Sequence, residues 1–314
     1  MKILVTGGRG FIGSHIIDEL AKGQDEIFCL TRTPAAPHRW GDRVKMVAGN
    51  VTDEVSLKAA TRGMDCVVHC VQFPNHPVEN RRKGHTYINI DGMGTSRLVW
   101  TCVDNGVKRF VYLSGAGTSP VKTETWFQAK AMAEERIRLS GMQYVILRPS
   151  WVYGPEDRSL NKFVTFVRYL PVVPVIGSGK SRVQPVSVFD VAAVAAAAVH
   201  KAEATGKVFE LGGPEILTMD EIIRTVMRVL GKRRFLFHQP ALLMKLVALP
   251  LSLLPTPPLS PAAIDFILME ELVDPSEAIR VFGITLERLE DGLRRYLEPC
   301  GPGPPSASPY FLSL

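Results

Sequence analysis

The sequence predicts an α/β protein: a doubly wound parallel Rossmann sheet with a smaller, mainly helical C-terminal lobe. Three observations carry this. Short β-rich runs alternate with segments of helical period from the first residue, the pattern of successive βαβ units and hence of a parallel sheet. The runs are apolar throughout rather than alternating, as strands covered on both faces are. The first of them leads directly into GGRGFIG and an amphipathic segment, a glycine turn set between strand and helix.

KILVT (2–6) is the first predicted strand and SHIIDELAKG (14–23) lies in the helix after it. EIFCL (26–30), VKMVAG (44–49), DCVVHC (65–70), KRFVYLS (108–114) and QYVILRP (143–149) supply the next strands, each bounded by Gly, Asp or Pro. TSRLVWTCVDNG (95–106) has helical period between two of them. After Pro149 the pattern loosens, and WVYGPEDRSLNKF (151–163) is rich in turn residues. VQPVSVFDVAAVAAAAVHKA (183–202) reads as a short strand feeding an Ala-rich helix, and VFELGGPE (208–215) as a strand ending in Gly-Gly-Pro. Thr218 and Glu221 have the spacing of a capping box opening MDEIIRTVMRVL, with Gly231 as its stop.

This organisation puts a dinucleotide-binding Rossmann domain at 1–150, completed by 183–212. A smaller substrate or docking lobe takes 151–182 and 213–298, and a Pro/Gly/Ser-rich tail without a core of its own takes 299–314. FLFHQPALLMKLVALPLSLLPTPPL (235–259) is very apolar, yet broken by Pro240, Pro250 and Pro255 and by His238 and Lys245. It lacks the uninterrupted run of about 20 apolar residues that a membrane span needs. A pair of short helices over the second lobe is expected there, with an interfacial membrane contact or an apolar docking face as the alternative.

The composition, 46% hydrophobic and 22% charged, excludes a disordered or fibrous class. The net charge of +6 is spread along the chain, and its clusters are short, as at Arg81, Arg82 and Lys83, with no aromatic interleaving. That describes a solvated face rather than a nucleic-acid surface. An anionic cofactor, an anionic membrane surface or an acidic partner subunit suits the charge equally. Five cysteines (29, 66, 70, 102 and 300), odd in number and without C-x-x-C, read as reduced and mostly buried. The first strand begins at Lys2, which leaves no room for a signal peptide, so a cytoplasmic-side protein, soluble or peripheral, is expected. The seven histidines show no metal-binding spacing, so no metal is expected. GAGTSP lacks G-x-S-x-G, and a hydrolase is not indicated.

The glycine turn is the strongest local signal. Gly7 permits the tight turn, Gly10 lets the backbone approach a pyrophosphate, and Gly13 lets helix and strand pack closely. The helix start supplies amide donors and a partial positive charge. The whole of Gly7, Gly8, Arg9, Gly10, Phe11, Ile12 and Gly13 is therefore the expected cradle of a nicotinamide dinucleotide. The second strand ends in CLTRTP, with Arg32 where an NAD-binding carboxylate would stand and no acid before Asp42. Arg9 faces the same region. Two guanidinium groups there suit a 2′-phosphate, so NADP(H) is favoured over NAD(H); a merely solvated Arg32 would restore the ambiguity.

With TGGRGFIG at its start, the chain resembles the extended and atypical short-chain dehydrogenase/reductases to about residue 230. GNVTD (49–53) looks like that family's adenine-contacting turn, with Asn50 in place of the usual Asp and Val51 after it. VVHCVQ (67–72) is similar to the fourth-strand segment under the nicotinamide ribose, which implies contacts from Cys70 and Val71. NIDGMGTSRLV (89–99) resembles the helix carrying the family's asparagine, here Asn89. KRFVYLSGAG places Ser114 where the catalytic serine or threonine stands, and LRPSWVYGPED (147–157), with Pro149, is similar to the segment bordering the nicotinamide. The likeness is greatest to the atypical group typified by the Rossmann-type accessory subunit of respiratory complex I and its bacterial relatives.

The departure from the pattern lies in TETWFQAKAMAEE (123–135). The family's acid is a tyrosine four residues before the catalytic lysine, and with Lys130 as that lysine the position holds Trp126. An indole N–H donates a hydrogen bond but releases no proton near neutral pH. Lys130 would still bind the nicotinamide ribose. Tyr112, Tyr153 and His69 are the nearby alternatives as acid or base, and each reads more simply as a packing residue. Three functions follow: an accessory or regulatory NADP(H)-binding subunit of a membrane-associated redox complex; an active oxidoreductase, epimerase or dehydratase with another acid; or an NADP-sensing regulator.

Overall fold

The computed structural model describes residues 1–74, 76–251, 261–270 and 272–298. Its first half is built of β1 (Lys2–Thr6), α1 (Phe11–Leu20), β2 (Glu26–Thr31), β3 (Val44–Ala48), α2 (Glu54–Thr61), β4 (Cys66–His69), α3 (Thr95–Asp104), β5 (Arg109–Leu113), α4 (Thr125–Arg138) and β6 (Gln143–Pro149). There follow β7 (Val152–Tyr153), α5 (Leu160–Tyr169), β8 (Val172–Ile176), β9 (Arg182–Val183), β10 (Val186–Ser187), α6 (Val188–Ala198) and β11 (Lys207–Leu211). The last elements are β12 (Leu217–Thr218), α7 (Met219–Val229), β13 (Phe235–Gln239), α8 (Ala241–Leu251), α9 (Pro261–Leu268), α10 (Ser276–Phe282) and α11 (Leu289–Leu297).

Seven strands form one parallel sheet in the order β11-β6-β5-β4-β1-β2-β3. The strand order reverses at β1, which lies between β2 and β4, so the turn after β1 opens into the crevice where such sheets bind ligands. The apolar strands are covered on both faces, as their sequence implies. Ile3 and Val5 point into a core made with Ile16, Ile17 and Leu20 of α1 and Val191, Ala195 and Ala198 of α6. Leu4, between them, points into the opposite core with Leu57 of α2, Leu98 of α3 and Ala133 of α4. Register keeps the C-terminal strand ends level: Thr6 pairs with His69, and His69 with Tyr112.

A third core joins Leu160, Val164 and Val167 of α5, Val173 and Val175 of β8, Ile222, Ile223 and Val226 of α7, and Leu289 and Leu293 of α11. The Thr218/Glu221 capping box opens α7, and Gly231 follows its end with φ of +62°, the left-handed conformation that terminates helices.

Two expectations are corrected. Residues 235–239 are not helical: FLFHQ forms β13 and pairs in parallel with β8, from Phe235 opposite Val172 to Gln239 opposite Ile176. Its aromatic, alternating pattern finds the open edge of VVPVI, and that pairing outweighs local helix preference. Helix α8 follows; residues 252–259 and the tail at 299–314 lie outside the described residues. The helix expected around Asn89 begins as a π-helix, Tyr87–Gly94, before continuing as α3. Wider π turns shift which side chains face inward, and they recur at functional sites.

Candidate functional site: the C-terminal edge of the sheet

The turn after β1 is closed by backbone contacts that leave no room for side chains. Gly7 has φ of +75°, and a Cβ on it would lie 2.7 Å from the Cys70 carbonyl oxygen. A Cβ on Gly13 would lie 2.2 Å from the Gly7 carbonyl oxygen, and one on Gly8 2.5 Å from Ile17. The Gly10 N–H donates to the Gly7 carbonyl at 2.9 Å, and Gly10 caps α1 without any side-chain cap. The helix start thus presents backbone alone, as an anion-binding terminus does. Phe11 lies against Gly154, Ile12 packs on the core, and the Cys70 thiol donates to the Thr6 carbonyl at 2.9 Å.

The Arg9 guanidinium donates to the carbonyls of Thr33 and Pro37, both at 3.1 Å, which ties the glycine turn to the loop after β2. Arg32 is exposed in that loop. Asn50 makes a turn in which its Oδ1 accepts the Thr52 N–H, and Val51 is buried with Phe73, Tyr87, Ile90 and Ala129.

The other end of the crevice lies over β4 and β5. Lys130, on α4, is 2% exposed and its Nζ is 3.3 Å from Asp91 Oδ1. The ammonium also lies 5.3 Å from the Tyr112 ring centre and 5.1 Å from that of Trp126. Burial alone would lower the Lys130 pKa, but Tyr112 and Asp91 reverse this and hold it above its usual value. Burial pushes Asp91 up, with Lys130 pulling against it.

Trp126, one turn before Lys130, packs in an aromatic cluster. Its ring lies 5.3 Å from His76, 5.5 Å from Tyr87 and 5.8 Å from Phe266 of α9. The Tyr87 hydroxyl bonds His76 Nδ1 at 2.8 Å, and burial first, then Lys130, depresses the His76 pKa to about 3. On the sheet side the indole abuts Gly115, where a Cβ would lie 2.5 Å from it. Two buried polar atoms beside Lys130, the Tyr112 hydroxyl and Trp126 Nε1, are without a hydrogen-bond partner, and Asp91 Oδ1 has only the Lys130 ammonium. Buried polar atoms without partners are rare in folded proteins, and these lie beside the buried lysine.

Among the site residues expected from the sequence, the structure brings Trp126 and Lys130 together. Two others have their hydrogen bonds elsewhere. Ser114 Oγ donates to Glu134 Oε1 at 2.6 Å, and Glu134 is gripped by Arg148 through both its oxygens. Asn89 Nδ2 donates to the Gly84 carbonyl at 2.8 Å. Pro149 ends β6, and its carbonyl accepts the Ala116 N–H. His69 is a satisfied core histidine, bonded to Thr6 on one nitrogen and Thr95 on the other. Tyr153 is buried in the third core.

Sequence reasoning missed Asp91, His76, Tyr87 and Phe266. Asp91 was legible only as the second residue after Asn89, and the π-helix decides which of the two faces Lys130. Phe266 reaches the site from a distant segment with no local signal. Among the described residues no group of three His, Cys, Asp or Glu could hold a metal ion, and no helix is long and apolar enough to cross a membrane.

A seven-stranded parallel sheet with a glycine turn at its switch point defines a protein of the dinucleotide-binding Rossmann class. The sequence profile of the NAD dependent epimerase/dehydratase family matches residues 3–212. The chain belongs to that family. It is 29% identical over 226 residues to NADH dehydrogenase [ubiquinone] 1 alpha subcomplex subunit 9, mitochondrial, of Arabidopsis thaliana, covering 69% of this chain and 55% of that protein. The mouse protein of the same name is 24% identical, and the alignment covers 71% of this chain and 59% of its length. The chain thus spans little more than half of these two relatives. A 2-alkyl-3-oxoalkanoate reductase of Stenotrophomonas maltophilia is 26% identical, over 74% of this chain and 77% of its own. Among solved structures, Pal from Bacillus thuringiensis superposes with a TM-score of 0.76 at 20% identity, over 93% of this chain and 96% of that one. UDP-glucuronic acid 4-epimerase from Bacillus cereus, solved with UDP-glucuronic acid and NAD, gives 0.73 at 20% identity, over 93% and 96%. At that identity the likeness concerns the fold.

Proposed function

We propose that the chain binds NADP(H) at the crevice but lacks tyrosine-dependent carbonyl chemistry, and serves as an accessory or regulatory subunit of a membrane-associated redox complex. The observation that carries this is the Trp126 cluster. The residue at the acid's position is an indole wedged among His76, Tyr87, Phe266 and Gly115, and it has no proton to give. The Gly7–Gly13 turn suits a pyrophosphate, and the orphaned polar atoms around Lys130 suit the nicotinamide ribose. A dinucleotide bound there would be the hydride carrier, and the chain's own residues would only hold it. In the chain itself, the α1 start would hold the phosphates, Arg32 and Arg9, the latter now bonded to the Thr33 and Pro37 carbonyls, would bind the adenosine 2′-phosphate, and Lys130 would supply a cation. Val71, Cys70 and Asn50 line the same edge.

Residues 1–150 and 183–212 form the binding unit in this reading, while 151–182 and 213–298 dock to the partner on the cytoplasmic side of the membrane. The subunit role is supported by the similarity to the alpha subcomplex proteins. Calorimetric titration with NADPH and NADH, followed by a carbonyl panel on the NADPH-loaded protein, tests it. The expected result is tighter binding of NADPH with no carbonyl-dependent oxidation; rapid turnover of any simple carbonyl overturns it.

A second reading, an active oxidoreductase with Tyr112 as its acid, is favoured by the unpartnered Tyr112 hydroxyl beside Lys130. Against it, burial raises the Tyr112 pKa, which weakens the phenol as an acid. Turnover abolished by Tyr112→Phe would select it.

A further inference from the structure

The helix α8 is built inside out. On a helical wheel at 100° per residue, Leu249, Leu242, Leu246, Pro250, Leu243 and Val247 span an arc of about 160°. All six are exposed, with Leu242 at 72%, Leu246 at 60% and Leu249 at 59%. The inward side carries the small Ala248, fully buried, and Lys245, whose ammonium pairs with Asp265 of α9. The contrast with α7 is direct: there Ile222, Ile223, Val226 and Met227 face the core, and Asp220, Arg224 and Arg228 face solvent and make ion pairs. A helix with aliphatic side chains turned to water over most of half its circumference marks an interaction surface.

We infer that this face docks on an anionic lipid bilayer, with α8 lying in the interfacial plane. Charge and composition choose the occupant. No Asp or Glu stands between Glu221 and Asp265. Within that stretch Lys232 and Arg233 are exposed, and they pair with no carboxylate among the described residues. With Arg234 they lead into β13, whose Phe235 and Phe237 are 81% and 56% exposed. Aliphatic residues on one helix face, with aromatic and basic residues flanking it, are the composition of interfacial helices. Protein interfaces concentrate their energy in Trp, Tyr and Arg, with Leu and Val under-represented, and the face of α8 is Leu and Val. A second copy would set the same basic residues against each other.

The position of the helix gives docking a consequence for the site. α8 packs on α9, and Phe266 of α9 lies 4.9 Å from His76 and 5.8 Å from Trp126. The same helix pair therefore faces lipid on its outer side and covers the Lys130 end of the crevice on its inner side. This inference rests on the membrane-associated reading proposed above and names its surface.

The test is co-sedimentation of the full chain with phosphatidylcholine vesicles, with and without phosphatidylglycerol. Binding to the anionic vesicles, weakened by salt, is expected. Leu242→Glu with Leu246→Glu should abolish it, and Lys232→Ala with Arg233→Ala should weaken it roughly 30-fold, at about one Debye-screened surface cation's worth per residue. Both pairs replace exposed side chains, so unchanged melting confirms folded protein. A Leu246→Trp variant should be quenched by brominated lipid. Failure of the wild type to bind vesicles, or undiminished binding by the leucine variants, overturns the inference. So does a leucine variant that turns a vesicle-indifferent dimer into a monomer, which assigns the face to a second copy. NADPH binding and co-purification with a redox complex are read on the same wild-type protein. Their presence without vesicle binding sinks the lipid surface alone, and vesicle binding without them sinks the subunit reading alone.

Discussion

The two ends of the crevice are built by opposite means. At the glycine turn, close backbone approach dominates: a Cβ on Gly7 or Gly13 would meet main-chain carbonyl atoms. At the Lys130 end, large side chains do everything, with Trp126, Tyr87, His76 and Phe266 packed ring against ring. The first construction is intolerant of substitution yet general in what it binds, since amides and a helix start serve any dinucleotide. The second depends on particular large side chains, and in the proposed reading it is where chemistry is lost. Under the proposed function, the difference teaches that a fold can keep the grip on a cofactor while its reaction space is refilled.

The largest effect that would sharpen this contrast is at the acid's position. If only the acid were missing, Trp126→Tyr would raise carbonyl reduction by the 10²–10⁴-fold typical of general acid catalysis. The account expects no such gain, because Ser114 is held by Glu134 and Asn89 by Gly84; steady-state rates with the carbonyl panel decide it. Next in size, Gly13→Ala should weaken NADPH binding roughly 100-fold, an effect of about 3 kcal/mol, since its Cβ would meet the Gly7 carbonyl at 2.2 Å. Circular dichroism would show the fold retained, and affinity equal to wild type would break the backbone half of the comparison.

At the other end, Asp91→Ala leaves the Lys130 ammonium buried without its partner. A loss of about 3–5 kcal/mol is expected in urea melts, while Asp91→Asn should lose less. Arg9→Ala should weaken NADPH about tenfold, through one charge-assisted contact, and leave NADH nearly unchanged.

The remaining effect is a pH dependence, read as a slope rather than as a single difference. Burial first, then Lys130, depresses both His69 and His76 to about 3, below the ordinary histidine value. Between that value and about 6.5 the unfolded chain binds more protons than the folded one. Stability present above pH 6.5 is therefore lost as the pH falls toward 3, by about 1.4 kcal/mol per pH unit for each histidine. His76→Phe should flatten part of this slope in urea melts across that range; an unchanged slope would mean His76 is solvated.

Much of the fold was legible because it rests on local signals. The apolar runs from KILVT to QYVILRP read as strands of a covered parallel sheet, although VKMVA is its edge strand, and Thr218 with Glu221 marked the start of α7. Three features were not legible, each for a non-local reason. FLFHQ becomes a strand because β8 offers it an edge. Asp91 rather than Asn89 meets Lys130 because a π-helix rotates the chain there. Phe266 enters the aromatic cluster from a segment far along the sequence. The pairing of Trp126 with Lys130, by contrast, followed from a spacing of four on one helix.

The central claim, cofactor grip without tyrosine-dependent chemistry, is tested most directly by a single-turnover experiment. Wild-type protein stoichiometrically loaded with NADPH is mixed with excess carbonyl compounds while the bound nicotinamide's absorbance is followed. The account predicts saturable NADPH binding and a signal that decays no faster than in the absence of carbonyl. Failure to bind NADPH, or fast carbonyl-dependent oxidation of the bound nicotinamide, would contradict it.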